Sequence, residues 1–476
     1  MNRIKILKKE NFNLENILCF FIVICPILDI SSFLFRNIFG TNYSLSTVIR
    51  PLIPIISIIY LFFTNNKKFK KYSFLVFLIY AIYAVIHLYL FTTVTTGSSY
   101  SNVIHEAQYI INYSFMILNL FIYVYFFKNN NTEKLKKSIL YATCIYIGSI
   151  YLAIITKTSS NTYMQEKMGY KGWLESGNST GAIFILTMFI YMNYLKDKKY
   201  KKIAIPVLIL VGIFLTTLIG TRVGLLGFIL VISIYIIIQV FYSLLHNSKI
   251  NKKMIFVAAG AIVAIAMLVV IFGSTTLERR KHLKNIESNI IDESINGNSH
   301  ITGDLLKIKN KIDKNELEEG YMNNAQKQSI IDLYNIANTM NVTNNDQRMQ
   351  QLIYNIALVK NQKNLVLILF GNGYMANFRE LVLEMEIPAF LFNFGLCGFT
   401  LYFVPFLTIF IYGLYFGIKN IAKIDDEFIM YEVGSGFTFA LSFFSGYTFF
   451  NSSTMMIIVV INALLINKIY KIKKEN

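Results

Sequence analysis

An all-α polytopic membrane bundle is the fold class that this sequence predicts, on three observations. Apolar runs of about 20 residues, the length that crosses a hydrocarbon core ~30 Å thick, recur along the chain. Lysine and arginine gather between alternate runs, and one long polar segment, residues 274–386, interrupts the series late in the chain. Composition agrees: of 476 residues, 55% are hydrophobic and 15% charged, which excludes disorder and fits a soluble domain of this size poorly.

Twelve runs read as spans, and in lipid each must be a helix, because its backbone groups need partners within the segment. The first, 15–35, follows Arg3, Lys5, Lys8 and Lys9; no small-residue cleavage site follows it, so a retained span is expected rather than a removed signal peptide. Runs 44–63 and 72–93 are separated by Lys67, Lys68, Lys70 and Lys71, and runs 107–127 and 138–156 by Lys128, Lys134, Lys136 and Lys137. Runs 176–195 and 203–219 flank Lys196 to Lys202, while 223–245 and 254–273 flank Lys249 to Lys253. Beyond the polar segment, Lys419 and Lys423 separate 387–416 from 428–449, and 450–467 precedes Lys468 to Lys474. This is the positive-inside pattern and predicts both termini in the cytoplasm. Three regions follow: spans one to nine over 1–273, a large extracytoplasmic loop over 274–386, and spans ten to twelve over 387–476.

The loop carries 13 Lys+Arg against 14 Asp+Glu, so the net charge of +18 resides in the basic connections. The surplus marks topology, and a nucleic-acid partner is excluded. Within the loop, Ile330, Leu333, Tyr334 and Ala337, then Leu352, Ile353, Ile356 and Ala357, recur at helical spacing. Two amphipathic helices broken at Asn341–Asn345 are expected, lying on the membrane or capping the bundle. Cys19, Cys25, Cys144 and Cys397 fall inside spans without paired spacing, so neither a disulfide nor a zinc framework is expected.

Ionisable groups at membrane depth are costly, and each is a functional candidate. Asp29 lies in the first span, Arg50 opens the second, His105 and Glu106 start the fourth, and Glu175 precedes the sixth. Arg222 occupies the tight turn Gly220-Thr221-Arg222-Val223-Gly224, too short for a solvated loop. Its guanidinium fork suits a diphosphate head group, or alternatively lipid phosphates. Arg279 and Arg280 follow the ninth span and Arg379 precedes the tenth, as diphosphate ligands or as solvated juxtamembrane charge. Glu384 and Glu386 lead directly into a span, where a partly desolvated carboxylate could serve as general base. His282 and His300 have no metal-ligand companions, and Asp425, Asp426 and Glu427 form a cytoplasmic loop rather than a metal cluster. Gly371-Asn372-Gly373 is a turn, too weak a signal for a phosphate loop.

Several stretches are similar to motifs of the bacterial O-antigen polymerase and O-antigen ligase family, in the form found in capsule and exopolysaccharide loci. Pro26-Ile27-Leu28-Asp29 resembles its Pro-x-x-Asp, and Lys171-Gly172-Trp173-Leu174-Glu175-Ser176-Gly177-Asn178 its Gly-Trp-Phe…Asn stretch. Gly220-Thr221-Arg222 resembles the Gly-Ser/Thr-Arg/Lys turn that places a functional cation. Phe370-Gly371-Asn372-Gly373-Tyr374 is like the Phe-Gly-x-Gly-Tyr that closes the large loop. Glu384-Met385-Glu386 with Phe394-Gly395-Leu396-Cys397-Gly398 resembles the approach to the tenth span. Ligases of the family carry a loop histidine where this chain offers Glu384, and relatives show Gly-His where it has Gly446-Tyr447.

The resemblance implies a GT-C-like glycosyltransferase in the bacterial cytoplasmic membrane. The reaction it implies is a metal-independent, inverting transfer between polyprenyl-diphosphate-linked oligosaccharides at the outer face, with no cofactor. Arg222, Arg279, Arg280 and Arg379 would bind the diphosphate, and Glu384 or Glu386 would be the base. Arg50, Glu106, Trp173, Glu175 and Asn178 would be weaker substrate contacts. Expected partners are the lipid-linked glycan, membrane lipids, and a chain-length regulator and flippase of the same pathway. A repeat-unit polymerase is the primary reading. The alternatives are a ligase that moves finished polymer to an acceptor, and a lipid-linked oligosaccharide flippase, against which stand the long outer loop and the lack of an internal repeat.

Overall fold

The computed structural model describes residues 13–475, except 42–43, 96–102, 165, 196–198, 247–258, most of 261–273, 283–303, 318–321, 341, 343–346, 374–380, 445 and 447. Five helices come first: α1 (Leu14–Phe39), α2 (Leu45–Thr64), α3 (Lys67–Leu90), α4 (Val103–Phe127) and α5 (Glu133–Ile155). A short antiparallel hairpin, β1 (Ser160–Tyr163) and β2 (Met168–Gly172), pairs Asn161 with Tyr170 and Tyr163 with Met168. Next come α6 (Gly177–Tyr191), α7 (Lys201–Ile213) and α8 (Arg222–Leu245), then the loop helices α9 (Asp304–Asp313), α10 (Asn324–Thr339), α11 (Gln347–Gln362) and α12 (Leu365–Phe370). The chain closes with α13 (Glu386–Tyr402), α14 (Val404–Lys419), α15 (Asp426–Phe444) and α16 (Ser452–Lys474).

Among the described residues, seven helices are long and apolar enough to cross a membrane, and the pair α13–α14, bent by 45°, would make an eighth. The difference from twelve has specific causes. The sixth and seventh runs are helical but shorter, α6 tightening into a 3₁₀ turn at Met192–Leu195 and α7 into a π turn at Phe214–Leu218. Three acidic residues, Asp426, Glu427 and Glu432, lie in α15. The ninth run, 254–273, lies largely outside the described residues.

Helix α16 is the centre of the bundle. It packs on α4, α15, α6, α14 and α1, and its apolar window is 78% buried, against 17% for the peripheral α3. The Asn451 side chain caps it by accepting from the N–H groups of Ser453 and Thr454, both at 3.0 Å. Lys471, Lys473 and Lys474 complement its C-terminal dipole. At that same end Lys468 reaches Glu427 at 2.7 Å and Lys136 reaches Glu427 at 3.4 Å, so this lysine-rich end is cross-braced by ion pairs.

The two helices expected between Ala325 and Gln362 are present as α10 and α11. A capping box starts α10, with Asn323 and Gln326 each bonding the other's backbone N–H at 2.9 Å. Ile330, Leu333, Ala337, Ile353, Tyr354 and Leu358 form a second small core. Each Ile and Leu side chain among them contributes about 1.5–3 kcal/mol on burial. Ile356, in phase by spacing, instead faces outward, 51% exposed.

The kink in α13 locates the end of the loop. Gly395 adopts φ 68°, ψ −175°, which breaks the helical ladder and frees preceding carbonyls. The turn after α12 fills them: Asn372 N–H donates to Phe392 O and Gly373 N–H to Asn393 O, both at 2.9 Å. The Tyr83 hydroxyl donates to Phe394 O at 2.9 Å. The two glycine motifs noted in sequence are thus a single docking joint.

Candidate functional site

Opposite the lysine-rich end, the turn between α7 and α8 is built to present Arg222. The π turn that ends α7 leaves carbonyls without helical donors. Ser274 Oγ donates to Thr216 O at 2.8 Å and Thr275 Oγ1 to Thr217 O at 2.7 Å, so the residues after the ninth run close that end. Gly220, at φ +78°, turns the chain. The Thr221 hydroxyl then caps α8, accepting from Gly224 N–H at 3.1 Å. Arg222 is the first residue of α8, exposed, and among the described residues it makes no ion pair.

The β-hairpin lies against this turn. A Cβ on Gly169 would come within 2.5 Å of Ile219 O, so only glycine permits the approach. Tyr163 thereby sits against the turn, its ring 3.6 Å from where a Cβ on Gly220 would stand. The Arg279 guanidinium stacks 3.5 Å over its ring while its Nε donates to Glu166 Oε2 at 2.7 Å. Burial pushes the Tyr163 phenol up, Arg279 pulls it back, Glu166 raises it further, and Arg222 and Arg348 lower it by less. Arg348, on α11, donates from Nε to Glu384 Oε2 at 3.3 Å and from Nη1 to the Phe444 carbonyl. Glu384 is further held by its N–H, which donates to Gln351 Oε1 at 3.1 Å. Gly446 approaches so closely that a Cβ there would meet Glu384 O at 2.3 Å. Loop helix, hairpin and bundle therefore bring Arg222, Arg279 and Arg348 to one patch, two of them paired with the carboxylates Glu166 and Glu384.

A polar cavity of about 250 Å³ opens at the same end. Ser32, Ser44, Thr47, Ser179, Thr180 and Ser452 line it, and the helices α2, α6 and α16 begin at its wall. At its base Arg50 donates to Asp29 Oδ1 at 2.5 Å and to Ser453 Oγ at 2.8 Å, and Tyr146 donates to the other Asp29 oxygen. At its rim Arg36 pairs with Glu175 at 3.5 Å. The first turns of α6 separate cavity from patch: Ser179 and Thr180 line the cavity, while Gly181 packs toward Thr221.

Among the residues singled out by sequence, Arg222, Arg279 and Glu384 fall together at the patch, and Arg50 and Glu175 at the cavity. Arg280 is exposed, and Arg379 lies outside the described residues. Trp173 Nε1 donates to Thr158 Oγ1 at 2.9 Å, which fixes the indole on the loop between α5 and β1, and Asn178 is partly buried in the first turn of α6. Glu386 is 0% exposed, its two oxygens accepting from Phe449 N–H at 2.9 Å and Phe450 N–H at 2.7 Å. Glu106 is buried against His87, away from both patch and cavity linings. Sequence reasoning passed over Arg36, Arg348 and Tyr163. The signal for Arg36 was an arginine at the outer end of an apolar run; Arg348 and Tyr163 stand in polar segments with no motif around them.

Comparison with curated proteins and with solved structures finds no match. The family model described as "O-antigen ligase like membrane protein" matches residues 10–472, nearly the whole chain and every element of the patch and cavity. The protein belongs to the family of O-antigen ligase-like membrane proteins, which implies a lipid-linked glycan substrate in a membrane.

Proposed function

We propose that the protein is a surface-polysaccharide polymerase, joining polyprenyl-diphosphate-linked oligosaccharide repeat units at the outer face of the bacterial cytoplasmic membrane. The lysine-rich end is cytoplasmic in this reading, and the chain crosses the membrane twelve times in a GT-C-like arrangement. The observation that carries the proposal is the placement of Arg222 on the turn beside Tyr163, whose ring Arg279 covers, with the Arg348–Glu384 pair tying the loop to the bundle. Membership in the family supports a membrane glycan-processing enzyme.

In the proposed reaction a sugar hydroxyl of one lipid-linked glycan attacks the anomeric carbon of another. The carbon–oxygen bond to the diphosphate breaks and polyprenyl diphosphate leaves with the electron pair. Negative charge develops on the diphosphate, where preorganised cations lower the barrier most. Arg222 suits that task because among the described residues it makes no ion pair; Arg279 and Arg348, held by Glu166 and Glu384, add to it less. Glu384 accepts the proton of the attacking hydroxyl, with Arg348 orienting the carboxylate. Glu386 is a positioning residue, since both of its oxygens already hold backbone N–H groups.

The size distribution of lipid-linked and released glycan tests this reading in cells carrying wild-type protein, a deletion, or Arg222→Ala. Single repeats on lipid in both altered strains are expected. The family's own description favours a ligase as second reading. Full-length but unattached polymer in the deletion strain would establish it. Repeats trapped on the cytoplasmic face would overturn both in favour of a flippase.

A further inference from the structure

We infer that the cavity between α1, α2, α6 and α16 is a glycosyl subsite that takes one pyranose residue of the lipid-linked glycan. The inference rests on the proposed reaction and adds a sugar-recognising pocket separate from the diphosphate patch.

Charge distinguishes the two regions through Arg222, which makes no ion pair among the described residues, whereas Arg279 and Arg348 are paired with Glu166 and Glu384. A diphosphate needs cations that are not already neutralised. The cavity's two arginines are each paired, Arg50 with Asp29 and Arg36 with Glu175, so its charges cancel. What it offers instead is mixed hydrogen-bonding capacity. Carboxylates can only accept, guanidinium groups can only donate, and Ser and Thr hydroxyls do either. That mixture matches a sugar ring, whose hydroxyls need both kinds of partner. Phe450, also in the wall, supplies an apolar surface for the ring's C–H face.

Size agrees with a single residue. A volume of about 250 Å³ falls just below the ~300–1,000 Å³ of sites for drug-sized ligands, room for one ring and not for an oligosaccharide. Rigidity agrees as well. Arg50 is held by α1 and by Ser453 on α16, and Ser32 bonds Ser44 across α1 and α2 at 3.0 Å. Polar groups fixed in advance recognise a ligand without an added ordering cost. The cavity lies one face of α6 away from the arginine patch, so a donor held by its diphosphate could place an attached sugar there.

The test uses full-length protein in lipid nanodiscs and measures affinity for bare polyprenyl diphosphate. Five further probes are the same lipid carrying one glucose, galactose, N-acetylglucosamine, N-acetylgalactosamine or glucuronic acid. At least one glycosylated probe should bind wild type about tenfold more tightly than the bare lipid. Ser452→Leu, which fills the cavity, should cut that preference to about twofold while leaving affinity for the bare lipid unchanged. If Ser452→Leu does not fold, Thr47→Leu, which fills the cavity from an exposed position and leaves both ion pairs intact, gives the same reading. Equal binding of all six probes by wild type would overturn the subsite and leave the transferase reading standing. Loss of bare-lipid binding in the cavity variants would also overturn it, by making the cavity the diphosphate site. Binding of none of the six by wild type would overturn the transferase reading, and the subsite with it.

Discussion

His87 Nε2 lies 2.8 Å from Glu106 Oε1, and both side chains are 1% exposed. The other ring nitrogen of His87 faces Phe370 O at 2.6 Å. One imidazole therefore ties α3 to α4 and to the last residue of α12, where the large loop rejoins the bundle. Removing one member of a buried hydrogen-bonded pair leaves the other unsatisfied, which costs about 1–3 kcal/mol and more for a charged group. His87→Ala and Glu106→Ala should each lower the melting temperature of the detergent-purified protein substantially. The double variant should be less destabilised than the two singles added together. Strict additivity would mean that the two groups do not interact.

The arginine patch gives a graded expectation. Arg222→Ala and Arg279→Ala should each reduce transfer on the order of 10²–10³-fold, as when a donor to developing charge is lost. Arg279→Lys should restore little, because an ammonium cannot both stack on Tyr163 and fork onto Glu166. Arg280→Ala should leave the rate within about twofold, since a solvated surface charge contributes little. Turnover of a fluorescent lipid-linked repeat unit would measure all four. An Arg280→Ala enzyme as impaired as Arg222→Ala would mean that the patch is drawn around the wrong arginines.

Glu384 and Glu386, two residues apart, should behave oppositely. Glu384→Gln removes the proposed proton acceptor at a half-buried position and should slow transfer ~10²–10⁴-fold with little change in melting temperature. Glu386→Ala strips the acceptor from two backbone N–H groups in a fully buried site, each costing about 1–3 kcal/mol when left unsatisfied. It should lower stability first and activity only through stability. The reverse pattern would exchange the roles of the two carboxylates.

What could be read in advance followed the reach of local patterns. Apolar length and lysine placement located α1 to α5, α8 and α16, because span and helix coincide where no kink intervenes. The same signal does not show that α6 and α7 tighten into 3₁₀ and π turns, since composition does not register a change of helical pitch. The turn bearing Arg222 was legible because Gly and Thr at those positions set both conformation and cap. The partners were not: Arg348 reaches Glu384 from 36 positions away, and Arg50 reaches Ser453 from 403. The backbone bonds of Glu386 were hidden for the same reason, as Phe449 and Phe450 become its neighbours only on folding.

The docking of the Gly371 turn onto the Gly395 kink yields the strictest stability test. Both residues lie in a region of backbone space that is essentially closed to residues with a Cβ: Gly395 at φ 68°, ψ −175° and Gly371 at φ 86°, ψ 168°. They also face each other. A Cβ on Gly395 would lie 2.4 Å from Leu369 O and 2.5 Å from Gly371 N, and one on Gly371 would lie 2.2 Å from Asn393 O. The obstructing atoms are backbone, which cannot rotate aside as a side chain can. Gly395→Ala and Gly371→Ala should each cost about 1–3 kcal/mol from conformation alone, with the overlap added. The hydrogen bonds from Asn372 and Gly373 to the kinked helix should be lost as well, releasing the end of the loop that carries Glu384. Gly148→Ala, in α5 with nothing within 4 Å of the added carbon, is the control and should be neutral or slightly stabilising. Thermal unfolding of the three variants, paired with amide exchange across residues 365–373, would check the claim. A Gly395→Ala protein that melts with wild type and keeps that segment protected would show that the joint does not hold the loop to the bundle.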